Sequence, residues 1–291
     1  PYFYLWKFSS CNSKEYFFLS MKLEIVLRIH DGQNIHGDRP RYIDIPKKQL
    51  IIGCLSSLIN STNLVSNAEI SFIVLNDHCT KDCISKVYKI FSSSKYPYQL
   101  IDLEIPGFHH SGLKQFEYCK NSTADLIYSV EDDYLHCTEA IQEMLFTYNH
   151  LKSYYHLQKE ICIYPFDNKE DYEYGHIVPG RLFRTPTRHW KEGIWTTFTM
   201  MTTPKVFQDH WEVFEKLALN YTPWNGIDKI EELVHEGNTI SYIWEHHVIR
   251  VNPIPSLALH IQFEKQRDPY INHSDWWNKY SKIKPLKIIY G

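Results

Sequence analysis

The chain has 291 residues, 43% hydrophobic and 22% charged, enough to bury a substantial core as one large α/β domain or as two lobes. A formal net charge of -3, with Lys and Arg dispersed along the chain, excludes the basic footprint of a nucleic-acid binder. Aromatic residues at 15% exceed what a core needs and suit a site for flat or sugar-like ligands.

Residues 1–20 are aromatic-rich but interrupted by Lys7, Lys14 and Glu15, without the apolar run of a spanning helix or the small-residue cleavage site of a signal peptide. Met21 then opens a β-prone run, so residues 1–20 are expected to be an extension outside the fold. The 7 cysteines are odd in number and irregularly spaced, which reads as free thiols in a reducing compartment. A cytoplasmic protein without a transmembrane segment is expected.

The predicted elements alternate. Leu23 to Ile29 is a buried strand, Lys47 to Ile59 repeats apolar residues at helical spacing, and Ile70 to Leu75 is a second strand closed by Asn76-Asp77. Lys81 to Phe91 reads as a helix, Tyr98 to Leu103 as a strand, Leu113 to Cys119 as a helix and Leu126 to Val130 as a strand. The β-α-β-α-β-α-β order argues for a parallel sheet with helices on both faces. Beyond it, Glu139 to Leu151 is expected as a helix, Glu160 to Tyr164 as a strand and Asp167 to Arg188 as a long polar loop. Trp195 to Thr202 alternates β-formers and predicts a strand with an exposed face. Helices follow at Pro204 to Ala218, capped by Thr203, at Ile227 to His235 and at Thr239 to His247; the aromatic tail from Asn272 folds back over the body.

In a parallel sheet the carboxyl ends of the strands carry the ligand crevice, and three such ends here are polar: Arg28/His30, Asn76/Asp77 and Glu131-Asp132-Asp133. Three adjacent carboxylates repel one another unless a cation neutralises them, and a hard divalent metal bridging phosphates does so. The alternative is an acidic turn in solvent. Such a convergence is what a nucleotide site needs: Asp77 can accept hydrogen bonds from a base or ribose, Arg28 can meet ribose or phosphate with His30 beside it, and the acidic triplet can hold the metal, with Asp132 a further nucleotide-side candidate. No Gly-x-Gly-x-x-Gly and no Gly-x-x-x-x-Gly-Lys-Ser/Thr occurs, which disfavours a dinucleotide site and a P-loop.

Asp77 at one strand end followed by Glu131-Asp132-Asp133 at another resembles the GT-A glycosyltransferases, whose Asp-x-Asp-type motif binds Mn or Mg and the diphosphate of a nucleotide sugar. The resemblance runs from Met21 to about Glu264. It is carried in particular by Tyr-x-x-Glu-Asp-Asp-Tyr-Leu-His at Tyr128 to His136, as in a group of bacterial and large-virus enzymes. His189-Trp190, the Thr-rich run Thr196-Thr197-Phe198-Thr199 and the late strand-end His260 belong to the same pattern. Glu131 departs from a strict Asp-x-Asp but is also an oxygen donor. The resemblance implies a GT-A (Rossmann-like) α/β fold, with a mostly parallel central sheet flanked by helices and a smaller mixed α+β acceptor-side region. Residues 21–136 would form the nucleotide-sugar-binding half and residues 137–291 the acceptor-binding half of one domain. It implies Mn2+ or Mg2+ held directly by Asp133, with Glu131 or Asp132 contributing directly or through water and His260 as a third ligand. It further implies a donor contact at Ser111 in His109-His110-Ser111, although the family's Gly-Asn-x-x-Ser pattern is missing there.

An inverting transfer needs a general base near the acceptor hydroxyl. Asp228 in Trp224-Asn-Gly226-Ile-Asp228 occupies the helix start where such enzymes often place it; alternatively it only complements the helix N-terminus. Trp190 and Trp195 are candidates for stacking on an acceptor sugar or else core filler, and Thr197 is an acceptor-side candidate. The expected activity is metal-dependent transfer of a sugar from a nucleotide-diphosphate sugar, a UDP-sugar first, to a saccharide or other hydroxyl acceptor. The alternatives are a metal-dependent phosphoester hydrolase or nucleotidyltransferase, and a catalytically silent carbohydrate-binding protein.

Overall fold

The computed structural model of the chain describes residues 21–32, 41–169, 172, 180–222, 234, 239–262, 267–283 and 287–288. The extension at residues 1–20, Asp228, and all of the helix expected over Ile227 to His235 except Val234 lie outside the described residues.

The first half follows the expected alternation. Strands β1 (Met21–Ile29), β3 (Ala68–Asn76), β4 (Tyr98–Asp102) and β5 (Leu126–Glu131) are connected by helices α1 (Lys47–Thr62), α2 (Lys81–Ser92) and α3 (Phe108–Asn121). These four strands pair in parallel, in the spatial order β4-β3-β1-β5. From β1 the chain therefore steps outward to β3 and β4, then returns to place β5 on the other side of β1. That reversal is a topological switch point at the carboxyl ends of β1 and β5, the place where sheets of this kind bind ligands.

The second half extends the same sheet to nine strands. β10 (Met200–Thr202) lies antiparallel between β5 and β7 (Glu160–Ile163), followed by β11 (Val248–Ile254), β9 (His189–Glu192) and β8 (Leu182–Arg184). Seven of the nine strands point one way; β10 and β9 run against them. The protein is thus α/β, with a large, mostly parallel mixed sheet flanked by helices. Two small ribbons complete it: β6 (Tyr134–His136) with β12 (Ala258–His260), and β2 (Ile43–Asp44) with β13 (Lys287–Ile288).

Period-2 patterning divides the core in two. Leu23, Ile25, Leu27 and Ile29 of β1 and Leu126, Tyr128 and Val130 of β5 face α1, α2 and α4 (Ala140–Ser153). Val26, Ile73, Leu75 and Ile127 face α3 and three short helices: α5 (Pro204–Asp209), α6 (Trp211–Asn220) and α7 (Ser241–His246). Burial on both faces explains why the strands read as nearly continuous apolar runs. Among the described residues, no helix is long and apolar enough to cross a membrane.

Four expectations need correction. The polar loop expected over Asp167 to Arg188 contains β8, whose Leu182–Arg184 pair antiparallel with β9 and bury Phe183. The strand predicted over Trp195 to Thr202 is confined to Met200–Thr202 and is buried throughout, because it lies inside the sheet rather than at its surface. The helix predicted from Pro204 to Ala218 breaks at His210, whose φ of -121° leaves the helical region. Thr203 does not cap α5 with its side chain; its hydroxyl donates to Glu160 Oε2 at 3.1 Å. The tail does fold back: α8 (His273–Tyr280) buries Trp277 against the Gly53 position of α1.

α3 sits close enough to the sheet to require a glycine. A Cβ on Gly112 would lie 2.9 Å from Phe198 and 3.4 Å from an Arg28 guanidinium nitrogen. Gly112→Ala is expected to lower the unfolding midpoint in urea, since overpacking of roughly 1–3 kcal/mol outweighs a helix-propensity gain of about 1 kcal/mol.

Candidate active site

Register brings the three polar strand ends together. Ile29 pairs with Asn76 and Arg28 with Glu131, so β1, β3 and β5 end at one level. The His30 backbone N–H donates to Asp132 Oδ2 at 2.8 Å, and the His30 ring nitrogen lies 2.7 Å from the Asp77 carbonyl oxygen. Gly107 stands at φ 110°, a conformation that suits glycine, and from there its N–H donates to Asp77 Oδ1 at 3.0 Å. Asp77 therefore ties the ends of β1 and β3 to the start of α3.

Each acid of the triplet faces its own nitrogen-bearing side chain. Arg28 Nη2 donates to Glu131 Oε1 at 3.2 Å, and its guanidinium packs over the rings of Phe108 (4.6 Å) and Phe198 (5.2 Å). Lys47, the first residue of α1, donates its ammonium to Asp132 Oδ1. His260 Nε2 lies 3.4 Å from Asp133 Oδ1, while Asp133 Oδ2 accepts from Gln262 at 3.1 Å. The third pairing differs from the other two: Asp133 Oδ1 and His260 Nε2 are both buried, face each other and make no hydrogen bond.

The electrostatics separate the acids further. Burial pushes the Glu131 carboxyl up; Arg28 opposes this and the neighbouring Asp133 adds to it. Burial would raise Asp133 as well, but the close contact with His260, together with the charges of Lys47 and Arg41, more than offsets it and holds that carboxyl well below the usual range. Asp133 is thus a committed carboxylate beside a buried imidazole, an oxygen and a nitrogen that suit a divalent cation. Glu131 and Asp132 are paired with Arg28 and Lys47, so within the expected set of Glu131, Asp133 and His260 it is Asp133 Oδ1 and His260 Nε2 that face each other, 3.4 Å apart. Among the described residues, no group of three or more His, Cys, Asp or Glu side chains is gathered to hold a metal.

Other predicted positions fall differently. Arg28 is directed at Glu131, Ser111 and the Phe108 carbonyl, not at an open face where a ribose or phosphate would lie. Ser111 is fully buried and its hydroxyl donates within the first turn of α3, to Gly107 and Phe108 carbonyl oxygens. Trp190 is also fully buried, with its ring nitrogen near the Thr185 hydroxyl at 3.4 Å, so it fills the core and offers no ring face to a sugar. Trp195 is half-buried. The Thr197 hydroxyl lies 2.8 Å from the Tyr134 hydroxyl and accepts the Thr199 N–H at 3.0 Å, and Thr199 in turn accepts the Glu131 N–H at 3.0 Å. Thr197 belongs to the acid cluster.

Lys47 and Gln262 were not expected at the site, and Tyr134 and Thr199, though within the runs Tyr128 to His136 and Thr196 to Thr199, had no role assigned there. Lys47 carried a signal, because a lysine in the first turn of a helix opposes the helix dipole unless a carboxylate is near. Gln262 gave none, since it reaches the site through the long-range pairing of β12 with β6.

No family model matches the chain, and no curated protein matches it. Among solved structures, the fold is similar to S. aureus TarS, at a TM-score of 0.45 and 14% identity over 79% of this chain and 35% of that chain. It is also similar to the mannosyltransferase PcManGT from Pyrobaculum calidifontis, in complex with GDP-Man and Mn2+ (TM-score 0.43, 9% identity, 65% of this chain and 46% of that one). A third is a UDP-glucose pyrophosphorylase complexed with UDP-glucose (TM-score 0.44, 10% identity, 90% and 97%). The chain spans between about a third and three-fifths of the TarS chains it matches.

Proposed function

We propose that the protein is a glycosyltransferase that uses a nucleotide-diphosphate sugar at the β1/β5 switch point. The observation that carries this reading is the acidic triplet leaving β5 at that switch point, with Asp133 Oδ1 and His260 Nε2 buried and facing each other 3.4 Å apart. Those two residues would hold a divalent cation, and a mixed carboxylate and imidazole set favours Mn2+ over Mg2+. Bound there, the cation would supply positive charge toward the diphosphate leaving group.

The chain's own residues account for the rest. Asp77 and His30, joined to each other, with the His30 N–H also tied to Asp132, would form the wall against which the nucleoside lies. Arg28 and Lys47 neutralise Glu131 and Asp132, so that a diphosphate can approach the triplet without meeting three uncompensated charges. In the transfer, the acceptor oxygen bonds to the anomeric carbon and the bond from that carbon to the diphosphate oxygen breaks, its electron pair leaving with the diphosphate. The acceptor proton goes to a base, for which Asp228 is the candidate.

Thermal unfolding with a panel of nucleoside diphosphates, each with and without Mn2+, tests this. UDP or GDP is expected to raise the midpoint only when Mn2+ is present, by about 2.7 kcal/mol of stabilisation at one hundred times Kd. Asp133→Asn should fold and lose that shift. The absence of any metal-dependent shift across the panel defeats the proposal. Release of pyrophosphate from a nucleoside triphosphate and a sugar phosphate would favour nucleotidyl transfer instead.

A further inference from the structure

We infer that Tyr134 is the positioning residue of the Asp133–His260 pair, an inference that rests on reading that pair as a cation site. Tyr134 and His260 are direct partners in the antiparallel β6/β12 ribbon, which puts both side chains on one face. Their rings stack nearly parallel, with centroids 4.5 Å apart and 13° between planes, and Phe166 meets the His260 ring edge-on at 6.3 Å. The imidazole is thus held in plane by aromatic contacts. No hydrogen bond reaches its Nε2.

The other end of Tyr134 is fixed as firmly. The side chain is 1% exposed, and its hydroxyl sits between Thr197 Oγ1 at 2.8 Å and the Tyr164 hydroxyl at 3.1 Å. Thr197 accepts the Thr199 N–H, and Thr199 both accepts the Glu131 N–H and lies with its hydroxyl 3.4 Å from Glu131 Oε2. One residue therefore links the outer two acids of the triplet: the ring sets the plane in which His260 faces Asp133, and the hydroxyl anchors that ring to the backbone carrying Glu131. An ordinary core tyrosine would need only the burial. Partners that orient a metal-binding histidine typically change metal affinity by about 10–100-fold when removed.

The test measures Mn2+ binding, by loss of the free-ion electron paramagnetic resonance signal, for the wild type, Tyr134→Phe, Tyr134→Leu and Tyr164→Phe, with Mn2+ alone and with UDP added. Tyr134→Phe is expected to weaken Mn2+ about 10-fold and Tyr134→Leu about 100-fold. Tyr164→Phe, which breaks the same hydroxyl contact but leaves Thr197 holding Tyr134, should cost similar stability in urea and leave Mn2+ affinity near the wild-type value. If Tyr134→Phe and Tyr134→Leu bind as tightly as the wild type, or if Tyr164→Phe weakens binding as much as Tyr134→Phe, the positioning role is overturned while the cation site stands. If the wild type binds no Mn2+ under either condition, both readings fall together.

Discussion

Arg28→Met is expected to lose about 3 kcal/mol of folding stability at pH 8, the lower end of what removing one partner of a buried ion pair costs. The Arg28 and Glu131 side chains are 9% and 14% exposed, so little water is at hand to solvate an abandoned carboxylate. Burial already pushes the Glu131 carboxyl up in the presence of Arg28, its largest opposing influence. Without the guanidinium it rises further, and this sets the sign of the pH dependence. A carboxyl whose folded pKa lies above its unfolded value destabilises the fold as pH rises from the unfolded value through the folded one. The deficit of Arg28→Met relative to wild type should therefore be small near pH 5 and grow toward pH 8. Methionine keeps much of the packing between Phe108 and Phe198 but loses the cation–π contacts. Urea unfolding at the two pH values checks the expectation, and Arg28→Met/Glu131→Gln should recover most of the loss at pH 8. A deficit that does not change with pH would show that Arg28 stabilises the fold by packing alone.

The first half of the fold could be read from the sequence because its signals are local. β1, β3, β4 and β5 lie within one or two residues of their predicted limits, since β-branched runs closed by polar residues specify strands without tertiary information. α3 begins at Phe108, five residues before the predicted start, because His109-His110-Ser111 hides an apolar stripe that only resumes at Leu113. The break at His210 was invisible for the opposite reason: Val206, Phe207, Phe214 and Leu217 all face one core and keep apolar residues recurring across a turn that the backbone does not continue. Thr197 to Met200 alternates like a strand, yet Thr197 and Thr199 turn their hydroxyls toward Tyr134 and Glu131, and the ladder starts only at Met200. At the site, Glu131-Asp132-Asp133 stood out as adjacent letters. What neutralises it did not, because Arg28 lies 103 residues from Glu131 and Lys47 lies 85 from Asp132. Charge pairing across such separations is a property of the switch-point topology, which composition and periodicity do not encode.

Acidification is expected to unfold the protein well before its carboxylates titrate in bulk, because two histidines are buried in neutral form. His136 is 1% exposed, with its Nε2 2.7 Å from the Tyr128 hydroxyl, and burial brings its pKa down to about 3. His273 is equally buried, its Nε2 accepts the Asp268 N–H at 3.1 Å, and burial, reinforced by the charge of Arg267, brings it down to about 4. Both values lie below the ordinary value of about 6.5 that the unfolded chain takes. Below pH 6.5 the unfolded state therefore binds protons that the folded state does not, and stability falls as pH drops. Each histidine contributes a slope on the order of 1.4 kcal/mol per pH unit until its folded pKa is reached. Asp133, held low, adds to the loss only below the ordinary carboxylate range. Glu131 and Asp167, both raised by burial, act in the opposite sense just above that range, so the net slope will be shallower than two protons there. The histidine share is isolated by substitution. Urea unfolding between pH 7.5 and pH 5 should give His136→Asn and His273→Asn slopes each about one proton shallower than wild type, whatever the variants lose in absolute stability. A slope unchanged in His136→Asn would mean that this imidazole is already charged in the folded protein. The Tyr128 hydroxyl would then have to accept its proton rather than donate to it.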